Sequence, residues 1–256
     1  MKTLPRCLVV LVSLFALLPL GLRAASDVDA VIAKARAAVG SETALTSLKS
    51  VHYAGTLETT GTDEKGRPKT VTVAIEIIFQ KPSRQRIVAT SADKIEITAL
   101  DGYDAWQREQ DPKDSARWRM TLLSKDQIER LRANAWENLF FYRDIERVGG
   151  QVADLGTAEV EGKTCRKLGF DHGAGIIFYR YFDQKTGQLL LTETETGVRI
   201  RERDEMAVSG VKFPRKIITE SKLPNGKTRT VTIVFDKITV NETFADSLFA
   251  VPILER

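Results

Sequence analysis

The chain is poor in side chains that do chemistry. Its 256 residues contain two histidines and two cysteines. Metal centres of recognised type need closely spaced ligands, and His52, His172, Cys7 and Cys165 offer no such spacing. No G-x-S-x-G element is present, so a nucleophile elbow is excluded. The glycines of His172-Gly173-Ala174-Gly175 precede a strand-like run instead of a helix, so they do not form a phosphate loop. His172, Asp171 and Cys165 can be drawn as a nucleophile system, but the surroundings of His172 read as an exposed turn. Glu193 and Glu195 alternate along a strand and share a face, with nothing further to make them an acid–base pair. These absences point away from an enzyme. Neither a metal nor another cofactor is expected.

Neither sign of charge dominates once the N-terminus is set aside. Lys2 and Arg6 precede an apolar run, Cys7 to Leu20, and Leu22-Arg23-Ala24 ends it with a cleavage-like site. The run is too short to span a bilayer comfortably, so residues 1–24 read as a secretory signal peptide. Cys7 lies inside the run, so it is not placed to be a lipidated first residue. Losing Lys2, Arg6 and Arg23 leaves 35 basic and 34 acidic residues, a net charge of +1 against +4 for the whole chain. That balance gives no general attraction to nucleic acid or to anionic lipid. A periplasmic or secreted location is expected. Only Cys165 then remains, so stability must come from a core, which roughly 230 residues can build in one domain, 25–256.

What the chain has in quantity is strand pattern. Asp27 to Val39 reads as a short amphipathic helix stopped at Gly40. Beyond Val51, strand-like runs follow one another with short turns. Val71, Val73, Ile75, Ile77 and Phe79 alternate strictly with Thr70, Thr72, Ala74 and Glu76, which is a strand with one buried face. Asp101-Gly102 and Pro224-Asn225-Gly226 mark hairpins. Gln110 to Ala116, with Pro112, reads as a loop. Ile176 to Phe182 is apolar on both faces and is expected to be a central strand. Pro214 suggests a strand that starts at a sheet edge. Connections this short require antiparallel pairing. The expectation from the pattern is a mainly β (α+β) fold, a sandwich or barrel-like antiparallel sheet of about a dozen short strands, with one long helical stretch that can lie over it as a lid.

The lid is the stretch Ser124 to Val148. Ser124 and Gln127 have capping-box spacing, and Ile128, Leu131, Ala135, Leu139 and Tyr142 recur on one helical face. Trp136, Leu139, Phe140, Phe141 and Tyr142 point nearly all round a helix, so burial on more than one side is expected. Either they are plain core, or one side rests on the sheet and another on a greasy ligand. For the second case the expected ligand contacts are Trp136, Leu139 and Phe140 from the lid and Val73, Ile75 and Ile77 from the sheet.

Several short stretches carry a family resemblance. They are Gly40-Ser41-Glu42-Thr43-Ala44-Leu45, Asp101-Gly102-Tyr103-Asp104-Ala105-Trp106, Tyr181 to Leu190, Val208 to Pro214, and Phe244 to Phe249. In their order the chain resembles the LolA/LolB-like superfamily of periplasmic lipoprotein carriers, especially the outer-membrane lipoprotein-sorting proteins. The resemblance covers nearly all of the mature chain and rests on turn and packing residues. It implies a curved antiparallel sheet or incompletely closed β-barrel, a half-barrel of about 11–12 strands with a helical lid over its concave face, and a carrier or binding protein for lipids or lipoprotein acyl chains. A membrane transporter or outer-membrane acceptor is then an implied partner. No position matches the classical carrier's lid-closing arginine, so none is carried over. The alternative is a regulatory or protein-interaction module of the envelope on the same fold, with the lid aromatics as core.

Overall fold

The computed structural model describes residues 27–62 and 68–252; the expected signal peptide lies outside the described residues. Two helices open the described chain, α1 (Asp27–Val39) and α2 (Glu42–Ser47). The first run of strands is β1 (Ser50–Thr62), β2 (Pro68–Gln80), β3 (Arg84–Thr90), β4 (Ile95–Asp101), β5 (Asp104–Asp111) and β6 (Asp114–Leu122). Helix α3 (Lys125–Leu139) and a 3₁₀ turn at Ile145–Val148 follow. The second run is β7 (Gln151–Val160), β8 (Lys163–Asp171), β9 (Ile177–Asp183), β10 (Leu189–Thr194), β11 (Arg199–Val208), β12 (Val211–Lys222) and β13 (Thr228–Val240).

All thirteen strands belong to one antiparallel sheet, in the order β6-β5-β4-β3-β2-β1-β13-β12-β11-β10-β9-β8-β7. Each run is a meander, and the two are joined where β1 pairs with β13. That seam needs a glycine: a Cβ on Gly55 would come within 2.0 Å of the Val234 carbonyl, beside a register shift between Ala54 and Gly55. The sheet is curved and not closed, because β6 and β7 remain as its two edges. The segment between them, α3 and the 3₁₀ turn, therefore crosses from one edge to the other over the inner face.

The inner face is continuous across the seam. Ile87 lies opposite Ile77, and Ile77 opposite Tyr53. Gly55 lies opposite both Ile75 and Phe235. On the side of β1 to β6 these residues form one core cluster with Ala135 and Leu139 of α3, and Ile128 and Leu131 pack against it. On the side of β7 to β13 a second cluster joins Ile32 and Ala35 of α1 to Leu168, Phe170, Phe178 and Phe182. The chain's end covers part of the outer face, where the Trp106 indole donates to the Phe249 carbonyl at 2.9 Å.

Several expectations need correction. The sheet has thirteen strands because Gln110 to Ala116 is not a loop: β5 runs to Asp111 and β6 begins at Asp114. β6 is an exposed edge strand that buries neither face, so period-two burial could not mark it. β9 is buried on both faces but is third from the β7 edge, not central. Pro214 lies within an interior strand, and its missing N–H is tolerated because the β13 ladder begins only at Lys216.

The largest correction concerns the lid. α3 ends at Leu139, and Phe141, Tyr142 and Asp144 adopt left-handed backbone angles, with φ of 48°, 70° and 62°. The aromatics therefore diverge because the chain turns, not because a helix presents them all round. Phe141 enters the first cluster, Tyr142 the second, and Phe140 stacks on Trp136.

Candidate functional site

A cavity of about 230 Å³ lies between α3 and the inner face of the sheet. Its walls come from both meanders, from the lid and from the end of α1. Tyr53, Ile77, Phe79 and Ile87 supply one side, Phe178, Ile200 and Ile217 the other, and Phe213 and Phe235 the floor near the seam. Phe141, Tyr142, Asn134 and Asn138 come from the lid, and Val39 from the end of α1. Alternation along the strands puts these residues on one face, and the aromatic content makes the wall largely apolar.

One end of this cavity is charged. Glu137 of α3 is buried and places Oε1 2.6 Å from His172 Nε2 and Oε2 2.5 Å from the Arg180 guanidinium. Arg180 lies over the rings of Tyr142 and Phe170, at 4.7 and 5.6 Å from their centroids. Burial opposes the Arg180 charge, but Glu137, Tyr142 and Glu202 outweigh it and hold the guanidinium above its ordinary range. Burial pushes the Tyr142 hydroxyl up. Glu202 is half-buried and lines the same cavity. Burial pushes the Glu202 carboxyl up, Arg180 opposes the shift and Glu205 adds to it.

The lid is tied to both meanders by polar bonds. Asn134 donates to Gln85 of β3 at 2.9 Å. On the other side Glu137 holds Arg180, and Arg130 pairs with Glu195 beyond β10. The C-terminal end of α3 is held by a third element. Arg36 of α1, 4% exposed, donates through Nη1 to the carbonyls of Phe140 and Phe141, both at 2.8 Å. Its other nitrogens bond Glu42, at 3.0 and 2.6 Å, and Glu42 also receives Arg143 at 2.6 Å. A cation at the last carbonyls of a helix satisfies groups that have no partner within it. Gly40 makes this geometry possible by bridging to Val211, where a Cβ would meet the Gly210 carbonyl at 2.6 Å.

The six residues singled out from the sequence fall into two sets. Ile77 lines the cavity, while Ile75 and Leu139 are buried in the core cluster that forms its wall. Val73 is half-buried on the same strand face as Ile75 and Ile77. Trp136 and Phe140 do not line this cavity. Their rings stack at 3.7 Å, the Trp136 indole donates to the Arg143 carbonyl at 3.1 Å, and Lys81 lies 5.0 Å over Phe140.

Sequence reasoning missed Glu137, Arg180, Glu202 and Arg36. Arg36, one turn after Ile32, could have been noticed as a charge bordering the apolar face of α1, whereas Glu137 lies on the side of α3 opposite Ile128, Ala135 and Leu139 and carries no such signal. Arg180 interrupts the otherwise apolar run of β9. His172 is not the exposed turn residue that the sequence suggests, since its side chain is 5% exposed. It is not joined to Cys165 either, which packs in a separate cluster with Val160, Tyr181 and Leu191. Among the described residues there is no group of three metal-ligating side chains, and no helix is long and apolar enough to cross a membrane.

No family model and no curated protein matches this sequence. Solved structures do match. A LolA superfamily protein from Nitrosomonas europaea superposes with a TM-score of 0.58, covering 89% of this chain and 99% of that one at 12% identity. The fold is that of the LolA superfamily. A DUF1329 family protein from Desulfovibrio piger gives 0.55 over 87% and 97% of the two chains at 12% identity. An outer-membrane lipoprotein-sorting protein domain from Vibrio parahaemolyticus gives 0.52 over 86% and 94% at 8% identity. At such identities the LolA-like likeness concerns the path of the chain, and every side chain of the cavity must be argued from this molecule.

Proposed function

We propose that this protein is a periplasmic carrier or binding protein for hydrophobic ligands, lipids or lipoprotein acyl chains, acting in outer-membrane lipoprotein sorting. The observation that carries the reading is the partly open, largely apolar cavity between α3 and the sheet. Apolar surface left unfilled in a core is costly, and each methylene placed there contributes about 0.8 kcal/mol. The cavity holds on the order of eight groups the size of a water molecule, so as it stands it takes one short chain or the end of a longer one. Ile77 touches the ligand in this reading, and Val73, Ile75 and Leu139 set the shape of the wall. Trp136 and Phe140 act indirectly, by fixing where α3 ends. A transporter or acceptor in the membrane completes the pathway.

Native mass spectrometry of protein purified from its own host tests the reading, together with displacement of a neutral naphthylamine probe by lipids. A co-purifying lipid and competitive displacement are expected. No bound lipid and no displacement would sink it and favour a protein-interaction role. Ile77→Ala weakens the probe by several-fold while Phe140→Ala leaves it nearly unchanged.

A further inference from the structure

The central cavity does not end at the charged cluster. A second cavity, of about 280 Å³, abuts it and shares Val39, Tyr142, Glu202, Lys212, Phe213 and Pro214 as lining. The two chambers differ in character. The inner one is walled by Ile, Phe and Tyr side chains, the outer one by Glu161, Lys163, Arg203, Asp204 and Glu205. Asp204, at φ 57°, lines the outer chamber; it and Arg215 drop out of the β11–β12 pairing, which keeps its register on either side, Arg203 with Lys216 and Glu205 with Pro214. An apolar chamber leading into a polar one suits a molecule with a tail and a head.

The charge of that head follows from which groups are already paired. Arg180 is paired with Glu137 at 2.5 Å and Arg203 with Glu161 at 2.6 Å. Lys212 lies 3.4 Å from Glu205 and Lys163 3.7 Å from Asp183. Each lysine and arginine on the two linings thus has its carboxylate. The Glu202 carboxylate, on the boundary between the chambers, has no hydrogen bond or ion pair among the described residues. Arg180 acts on it only at longer range. The competing feature is Arg180 Nε, which is buried without a hydrogen-bond partner. Its charge is nonetheless met by Glu137, so an anion there would face two carboxylates.

Resting on the carrier reading above, we infer that the two chambers bind a single-chain amphiphile with a cationic head, an alkyl ammonium, whose tail fills the inner chamber and whose nitrogen pairs with Glu202.

The test uses three ten-carbon ligands that differ only in the head: decylamine, decanoate and decanol, each below its micelle concentration. Each displaces the naphthylamine probe from the purified protein and from its Glu202→Gln variant, with thermal melts to show that the variant is folded. Decylamine is expected to bind roughly tenfold more tightly than decanoate, the size of one charge-assisted hydrogen bond. In Glu202→Gln the two are expected to become equal within error, with decanol unchanged. Decanoate binding as tightly as decylamine, or a preference that survives in the variant, overturns the head-group assignment and leaves the carrier reading standing. No displacement by any of the three overturns both.

Discussion

The two sides of the inner face solve the same packing problem differently. Under α3, on the β1 to β6 side, the core is aliphatic and aromatic apart from one buried amide, Gln85, which accepts from Asn134, and the helix is packed by Leu139, Ala135 and their neighbours. On the β7 to β13 side the cluster under α1 has at its border a buried carboxylate, an imidazole and a guanidinium: Glu137, His172 and Arg180. Apolar packing is forgiving of which contact is made, so it fixes the helix against the sheet but specifies its position weakly. A buried ion pair adds little net stability against an apolar replacement, yet it penalises any other arrangement. The first side therefore supplies stability, and the second supplies the register of the lid.

That contrast can be broken most sharply at Arg180. Arg180→Met leaves Glu137 buried without its cation and is expected to cost about 3–5 kcal/mol, read from urea unfolding. Glu137→Leu in the same chain is expected to restore most of that loss, which an additive effect of two damaged sites would not do. On the apolar side Leu139→Ala is expected to cost about 3 kcal/mol, as a methylene-removing cavity does, and no second substitution there should rescue it as fully. Arg36→Ala unpairs the Phe141 carbonyl and leaves the Phe140 carbonyl with only the Arg143 N–H, at 3.3 Å. A loss of about 2 kcal/mol is expected, with faster amide exchange confined to the end of α3 and residues 140–144. Unchanged exchange there would show that Arg36 does not hold the lid. Phe140→Ala removes a half-buried ring stacked on Trp136, and about 1 kcal/mol is expected.

The smallest effect is a pH dependence at Glu202. The folded protein keeps its proton to a higher pH than the unfolded chain does, because burial disfavours the carboxylate. Arg180 opposes this from β9 and Glu205 reinforces it from β11, while Tyr53, Tyr142 and Lys212 line the same space. Between the two titrations the folded state binds the extra proton, so stability falls as pH rises and the loss is complete above the folded titration. Glu202→Gln is therefore expected to melt higher than wild type at neutral and alkaline pH. The two melts should converge below the ordinary carboxylate range. A constant difference at all pH values would assign the effect to packing instead.

What was legible in the sequence follows the same division. Strict alternation along β2 and the helical spacing of Ile128, Leu131, Ala135 and Leu139 were readable because one solvent-averse face repeats with a fixed period. The strand-rich sheet, the candidate lid and the apolar wall at Ile75 and Ile77 came from that, and the half-barrel form from the family resemblance. β6 was missed because an edge strand exposed on both faces carries no such period. The turn at Phe140 to Asp144 was missed because left-handed Phe141 and Tyr142 have no glycine to announce them. Glu137, His172 and Arg180 were missed because their meeting joins a helix, a turn and a strand, 35 and 43 positions from Glu137. No local pattern encodes a contact of that kind.

The path of the chain between the two sheet edges has a mechanical side. α3 and the turn after it leave from β6 and return at β7, so this segment is strung across the sheet like a bowstring. A string fixed at both ends cannot swing aside as a hinged flap does. It slackens or tightens only as the two edges approach or part, and those edges are the ends of one continuous sheet joined at β1 and β13. Bending the sheet and widening the space beneath the helix are then a single motion. A partner that grips either β6 or β7 works on the chamber from more than a strand's width away, without touching the ligand.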